Sequence, residues 1–153
     1  MKTSSISVHL ATREHAETAF GLIEEYYEAV GVVVRDDRAA LEHYLESPDS
    51  PIWIARVDGA AAGCVMLRPL PQVAEAAEVK RLYVREAFRR LHVARELMRA
   101  AEEQARRCGI RWLYLDTKDD LEAAIRFYLG SGYERCSRYN DNPQATLFLR
   151  KQL

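Results

Sequence analysis

The 153-residue sequence predicts one mixed α/β domain, residues 1–153, on a twisted sheet of about seven strands. The sheet is expected to be antiparallel early and to contain one parallel β-α-β crossover. Three observations lead there. Hydrophobic periodicity and turn signals give the order β-α-α-β-β-β-α-β-α-β-β. The length is near the mode for one domain, and 48% hydrophobic against 29% charged residues is ordinary globular composition. No internal repeat, linker or low-complexity run divides the chain.

Ile6 to Ala11 reads as the first strand, with Ile6, Val8 and Leu10 on one face. Thr12 caps a helix to about Val30, whose Ala16, Ala19, Phe20, Ile23 and Tyr27 recur at helical spacing, and Gly31 ends it. Asp36 or Asp37 caps a short second helix through Leu41, Tyr44 and Leu45, stopped at Ser47-Pro48. Ile52 to Val57 and Ala61 to Arg68 are strands joined by the hairpin signal Asp58-Gly59, and Ala77 to Val84 is the next strand. Leu91 to Cys108 is the clearest helix, with the apolar stripe Ala94, Leu97, Met98, Ala101, Ala105 and Cys108, and Gly109 stops it. Ile110 to Asp116 is apolar enough to be a buried strand. Asp119 or Asp120 caps a helix from Leu121 to about Leu129. Tyr133 to Tyr139 and Ala145 to Arg150 form the final hairpin around Asn140-Asp141-Asn142-Pro143.

Composition narrows the function classes. The apolar runs are short and broken by charge, which excludes a transmembrane helix, and Met1 to Thr12 lacks the h-region of a secretory signal. Three dispersed cysteines, Cys64, Cys108 and Cys136, suit a reducing, cytoplasmic compartment; Cys64 and Cys108 read as core. The four histidines have no metal-ligand spacing, so no metal is expected. The net charge of −1 hides an asymmetry. Lys80 to Arg99 holds seven basic residues against two acids, and Glu14 to Asp49 holds ten acids against two arginines. The first stretch suits an anion and the second a cation. A nucleic-acid partner is not expected, because no reading motif accompanies the basic stretch.

The strand Glu78 to Val84 runs into a basic turn that opens the long helix, where free amides and the helix dipole favour a phosphate. No Rossmann or P-loop glycine pattern is present. Lys80-Arg81-Leu82-Tyr83-Val84, followed by Arg89-Arg90-Leu91-His92-Val93-Ala94, resembles the acyl-CoA motif [QR]-x-x-G-x-[GA] of the GNAT superfamily of acetyl-CoA-dependent N-acetyltransferases. Asp120 to Tyr128, then Gly132-Tyr133, resembles that family's second CoA-contacting helix and the strand after it. The resemblance implies helices on both faces of the sheet and acetyl-CoA as co-substrate. It implies that the backbone of Leu82, Tyr83 and Val84 pairs with the pantetheine arm, along a strand splayed from its neighbour. It implies that amides from Arg90 through Leu91, His92, Val93 and Ala94 to Arg95 bind pyrophosphate; the charges of Arg89, Arg90 and Arg95 around the turn suit an anion on their own account. Tyr128 is implied as general acid at the thioester sulfur. Leu121 and Ala124 share its helix face, Ala124 small enough to leave room for the cofactor chain. Two positions depart from the pattern: His92 stands where the family usually has Gly, and Leu121 replaces a frequent Asn.

Acyl transfer to an amine needs a neutral nucleophile, a donor for the oxyanion and a proton for the leaving thiolate. A phenol, with its ordinary pKa of about 10, can donate at neutral pH; packing of Tyr128 and Phe127 on the sheet is the other use of these rings. Glu78 offers a carboxylate to take the amine proton directly or through water, and it reads equally as an edge carboxylate paired with Lys80 or an arginine. Tyr26, Tyr27 and Tyr139 are candidates for the acceptor pocket or for core packing. The expected acceptor is a small-molecule or peptide amine. The acids Glu24, Glu25, Glu28, Asp36 and Asp37, clustered around Gly31, suggest that it is cationic. The alternative function is a non-catalytic acyl-CoA-binding or regulatory domain. The sequence leaves a homodimer open and predicts no membrane partner.

Overall fold

Ile6–Leu10 (β1) pairs antiparallel with Ile52–Val57 (β2), Ile6 opposite Val57 and Leu10 opposite Trp53. The computed structural model describes residues 4–153; Met1 to Thr3, the start of the segment read as lacking a secretory signal, lie outside the described residues. Two helices separate the strands. A 3-10 turn at Arg13–His15, with the Thr12 amide donating to His15 Nδ1 at 3.0 Å, leads into α1 (Ala16–Val30). Gly31 closes α1 in the left-handed region at φ 74°, its amide donating to the Tyr27 carbonyl at 2.9 Å. Asp37 caps α2 (Arg38–Glu46) by accepting from the Ala40 amide at 2.9 Å.

β3 (Ala60–Pro69) returns beside β2 through Asp58 and Gly59, both at positive φ, the pattern of a type I′ turn. β4 (Ala76–Val84) is antiparallel to β3. α3 (Val93–Arg107) then crosses over to β5 (Trp112–Thr117), which is parallel to β4. α4 (Glu122–Gly130), β6 (Glu134–Arg135) and β7 (Leu147–Gln152) complete a seven-stranded sheet of order β1-β2-β3-β4-β5-β7-β6.

Strand alternation divides the core. Trp53, Ala55, Val65, Leu67, Ala77 and Val79 meet Val93, Leu97, Met98 and Ala101 of α3 and Tyr128 of α4 on one face. Ile52, Ile54, Cys64 and Met66 meet Leu22, Ile23 and Tyr27 of α1 and Leu41 of α2 on the other. Helices thus cover both faces, as expected.

Four local features differ from the sequence reading. The long helix begins at Val93 rather than Leu91, because Arg90 and His92 hold φ of 67° and 68°, outside any right-handed helix. α4 starts after Leu121, not after an aspartate cap: the Leu121 amide donates to the Lys118 carbonyl at 3.1 Å and closes a turn over both aspartates. β6 is two residues long, and β7 starts at Leu147. The chain between them is held instead by the Arg138 guanidinium, which donates to the carbonyls of Asn142 and Ala145 at 3.1 and 3.0 Å. Cys108 is exposed just beyond the end of α3, while Cys64 is fully buried and its thiol is pushed up to about 12 by burial.

Candidate active site

β4 and β5 pair only where Ala76, Ala77 and Glu78 face Trp112, Leu113 and Tyr114, and then they part. β5 stays paired with β7 as far as Thr117, so the parting lies inside the sheet. A bulge accompanies it. Cys64 faces Tyr83 and Met66 faces Lys80, which leaves Arg81 and Leu82 together opposite Val65. Arg81 takes φ 60°, and a bulge of this kind bends and twists its strand. Parity changes there: Val79, Leu82 and Val84 pack on the α3 side, whereas Arg81 and Tyr83 turn toward α1. Leu82 and Val84 therefore leave the face that simple alternation shares among Glu78, Lys80, Leu82 and Val84. Gly63 makes room for the bulge, since a Cβ there would collide with the Tyr83 carbonyl oxygen.

The parting is a cleft of about 540 Å³, a size suited to small ligands. Leu82, Leu121, Ala124 and Tyr128 line one wall, Tyr26 and Val32 to Val34 line the other, and Asp116 and four cations lie along it. Tyr128 is buried and packs edge-on against Tyr133, ring centroids 5.9 Å apart. Burial first, then Tyr26 and Asp116, push its phenol well above the ordinary tyrosine range. It therefore keeps its proton at neutral pH. Tyr27 is a core residue, and Tyr139 bonds to Glu78 outside the cleft lining.

Glu78 is buried and does not line the cleft. Its Oε2 accepts from Tyr139 Oη at 2.7 Å, Asn140 Nδ2 at 3.0 Å and Lys80 Nζ at 3.4 Å. Asp116 Oδ2 accepts from the same Asn140 Nδ2 at 2.7 Å and the same Lys80 Nζ at 3.1 Å. The two carboxylates are thus cross-linked by shared donors, with Asp116 on the cleft side. The sequence showed an acid at the end of the apolar run Leu113 to Leu115, but nothing in it tied Asp116 to the site.

The basic turn lies beyond the end of β4 and outside this lining. Val93 is buried and Ala94 half-buried, whereas Arg89, Arg90, Leu91, His92 and Arg95 are exposed. Arg89 folds back to donate from Nε to the Val84 carbonyl at 3.1 Å. The side chains of Tyr83 and Arg85 turn away to Glu25, Tyr83 Oη donating at 3.2 Å and Arg85 Nη2 at 2.7 Å. The first amides of α3 have no acceptor within the helix.

The N-terminal acids do not reach the cleft. Glu25 is held by Arg85, Glu28 by Arg35 and Glu17 by Arg38; Asp37 caps α2. Asp36 sits behind the cleft, where its Oδ2 accepts from Arg68 and Arg81 at 3.0 and 3.1 Å. The residues that carry charge in the lining are Arg68, Lys80, Arg81 and Lys118, with Asp116 opposed to them.

The parallel strands thus part beside a buried phenol, with a basic helix start directly downstream. The family model described as the acetyltransferase (GNAT) family matches residues 12–133, and the chain belongs to that family. It is 30% identical over 150 residues to an uncharacterised N-acetyltransferase of Schizosaccharomyces pombe, covering 94% of this chain and 91% of that one. N-acetyltransferase relatives from Xenopus and Escherichia coli are matched over about half of their own length. The fold is similar to that of PaiA N-acetyltransferase from Thermoplasma acidophilum in complex with coenzyme A (TM-score 0.80, 18% identity, 97% of this chain and 99% of that chain). It is also similar to that of N-acetylglutamate synthase from Neisseria gonorrhoeae, complexed with coenzyme A and N-acetyl-glutamate (TM-score 0.81, 19% identity, 99% of this chain and 36% of that chain). Among the described residues no helix is long and apolar enough to cross a membrane, and no group of three or more His, Cys, Asp or Glu is placed to hold a metal ion.

Proposed function

We propose that this acyltransferase moves an acetyl group from acetyl-CoA to a primary amine by direct transfer. The observation that carries this reading is the cleft through the sheet with the protonated Tyr128 phenol in its wall. The residues fit a CoA chain. Parted from β5, β4 has backbone groups of Leu82, Tyr83 and Val84 to offer a pantetheine amide, and Leu121 and Ala124 leave a smooth wall beside it. The left-handed Arg90 and His92 bracket a short run of amides, the kind of backbone that forms an anion nest. Arg90 and Arg95 have no carboxylate partner among the described residues, so their charge is free for a pyrophosphate.

The amine lone pair attacks the thioester carbonyl carbon, the C–S bond breaks, and the departing sulfur takes its proton from Tyr128. The proton that the amine loses passes to Asp116 on the cleft wall. Glu78 stands behind Asp116 and acts through the shared Lys80 and Asn140, as a positioning residue. Cys64, buried with its thiol pushed up to about 12, is unsuited to forming an acyl-enzyme.

Thiol release from acetyl-CoA across an amine panel tests the activity, and its absence for every amine class overturns it. Tyr128→Phe keeps the ring and removes the donor, so kcat should fall by ~10²–10⁴-fold, the usual span of general acid–base catalysis, with CoA affinity unchanged in calorimetry. The raised phenol gives the pH profile its form. kcat/KM should climb as the acceptor amine deprotonates and show no falling limb from Tyr128 below about pH 10. Unaltered turnover of the variant, with chemistry rate-limiting, removes Tyr128 from the mechanism.

A further inference from the structure

We infer that the acceptor is a small amine that itself carries a carboxylate, and that Arg68 and Arg81 hold this carboxylate in the cleft. The inference rests on the acyl-transfer reading and names its substrate class. Two of the four cations in the lining are committed to the protein. Lys80 lies between Asp116 and Glu78 at 3.1 and 3.4 Å, and Lys118 Nζ donates to the Val30 carbonyl at 2.5 Å. The two arginines are not used up. Both reach the same oxygen of one carboxylate, Asp36 Oδ2, through a single nitrogen each. Two guanidiniums carry ten N–H donors between them, and one carboxylate leaves most of those donors and one positive charge over. Arg68 also donates to Tyr44 Oη at 2.6 Å, yet its Nε is fully buried with no acceptor. A buried donor without a partner is a hydrogen bond still open on this guanidinium.

The pair is also held in place. Arg68 lies over the Tyr44 ring at 4.8 Å and Arg81 over the Tyr27 ring at 5.2 Å, and Asp36 fixes both heads from behind. The side chain of Arg81 reaches this position only because its backbone takes φ 60° in the bulge. Rigid forks of this kind suit a carboxylate, which they bind through paired hydrogen bonds. Tyr26, 6.0 Å from the Arg81 guanidinium, lines the cleft shared with Tyr128 and Asp116. A compact molecule with an amine at one end and a carboxylate at the other therefore matches the cleft, the amine toward Asp116 and Tyr128. A polyamine would meet mostly positive charge.

The experiment compares three matched acceptors that differ at one group: an amino acid, its α-amide and its decarboxylated amine, with spermidine as a fourth. Initial rates are followed by thiol release from acetyl-CoA. Calorimetry of the N-acetylated acid and its amide is run with and without CoA. The acid should exceed the amide by at least about 30-fold in kcat/KM, as expected when a desolvated charge pair is lost. Arg68→Gln and Arg81→Gln should each raise KM for the acid about 10-fold or more and raise KM for the amide by clearly less, with melting curves reporting whether each variant folds. If neither folds, the wild-type acid–amide comparison decides alone. Equal or better use of the amide, the plain amine or spermidine overturns the inference while acetyl transfer stands. If no amine is acetylated, acetyl transfer fails as a reading and binding decides this inference: acid bound more tightly than amide supports it, and equal or absent binding overturns it.

Discussion

At the start of α3, His92 holds φ 68°, a conformation that glycine adopts freely and that costs other L-residues roughly 1–2 kcal/mol. Arg90, two residues earlier, does the same at 67°. The backbone of this turn thus has the form expected of a glycine-containing loop, although neither residue is glycine. His92→Gly removes the steric cost and adds freedom to the unfolded chain, so stability should shift by no more than about 1 kcal/mol in urea denaturation. If the turn receives pyrophosphate through its amides, acetyl-CoA affinity should hold or rise. His92→Val, with a branched Cβ forced into the left-handed region, should destabilise by about 1–3 kcal/mol. A collapse of CoA binding in the glycine variant would show instead that the imidazole is a ligand. His92 was legible in the sequence as a departure from a motif because the motif is local. Arg81 was not, because its left-handed φ and its turn into the cleft follow from a register shift against β3, and register depends on two strands at once.

Among the elements, β4 borders the parting of the sheet, and its shape depends on β3. The sequence identified both strands, the hairpin at Asp58-Gly59 and the amphipathic α3, since each is encoded by nearby periodicity and turn residues. It missed the short β6 because Tyr133 to Tyr139 has strand-like composition, whereas the observed conformation is set by Arg138 bonding to backbone carbonyls at positions 142 and 145. It also missed the joined carboxylates Glu78 and Asp116, which come from neighbouring strands and meet only through Lys80 and Asn140. The role of Gly63 is likewise visible only in three dimensions. Its Cα hydrogen faces the Tyr83 carbonyl, so Gly63→Ala must push β3 from β4 where the bulge begins. Overpacking of this kind costs typically ~1–3 kcal/mol, and the displaced strand is the one proposed to pair with pantetheine. The Ala variant should lose that much stability and bind acetyl-CoA more weakly, whereas Gly21→Ala, with open space around its Cβ and a helical site, should do neither. Equal CoA affinities for the two variants, by calorimetry, would separate the bulge from cofactor binding.

Over the whole molecule, two acids of the N-terminal third, Glu25 and Asp36, are bound by arginines of β3, of β4 and of the turn just after it. Glu25 of α1 reaches Arg85, just past β4, with Nη2 to Oε2 at 2.7 Å, and Asp36 braces Arg68 and Arg81 from behind the cleft. An asymmetry that reads along the chain as two separate binding surfaces is spent in part on internal ion pairs, with Arg89, Arg90 and Arg95 left outside them among the described residues. The composition showed the charges correctly, but pairing between residues about 60 positions apart is a tertiary fact. The consequence is testable through Glu25. Its hydrogen bond from Arg85, partly opposed by burial, holds its carboxyl below the ordinary glutamate value. A carboxyl depressed in the folded state contributes stability that is present above its unfolded pKa of about 4.3 and is lost as pH falls through the lower, folded value. Both side chains remain more than a third exposed, so solvent screening keeps the contribution within about 1 kcal/mol. Glu25→Gln should therefore lower the urea midpoint modestly at pH 7, and the difference from the parent should vanish toward pH 3. The double variant Glu25→Gln with Glu28→Gln should leave the salt dependence of acceptor kcat/KM unchanged, because neither acid lines the cleft. A flattened slope for a cationic acceptor in that variant would return the acids to the acceptor site. A stability loss at pH 3 equal to that at pH 7 would show that Glu25 acts by packing rather than by charge.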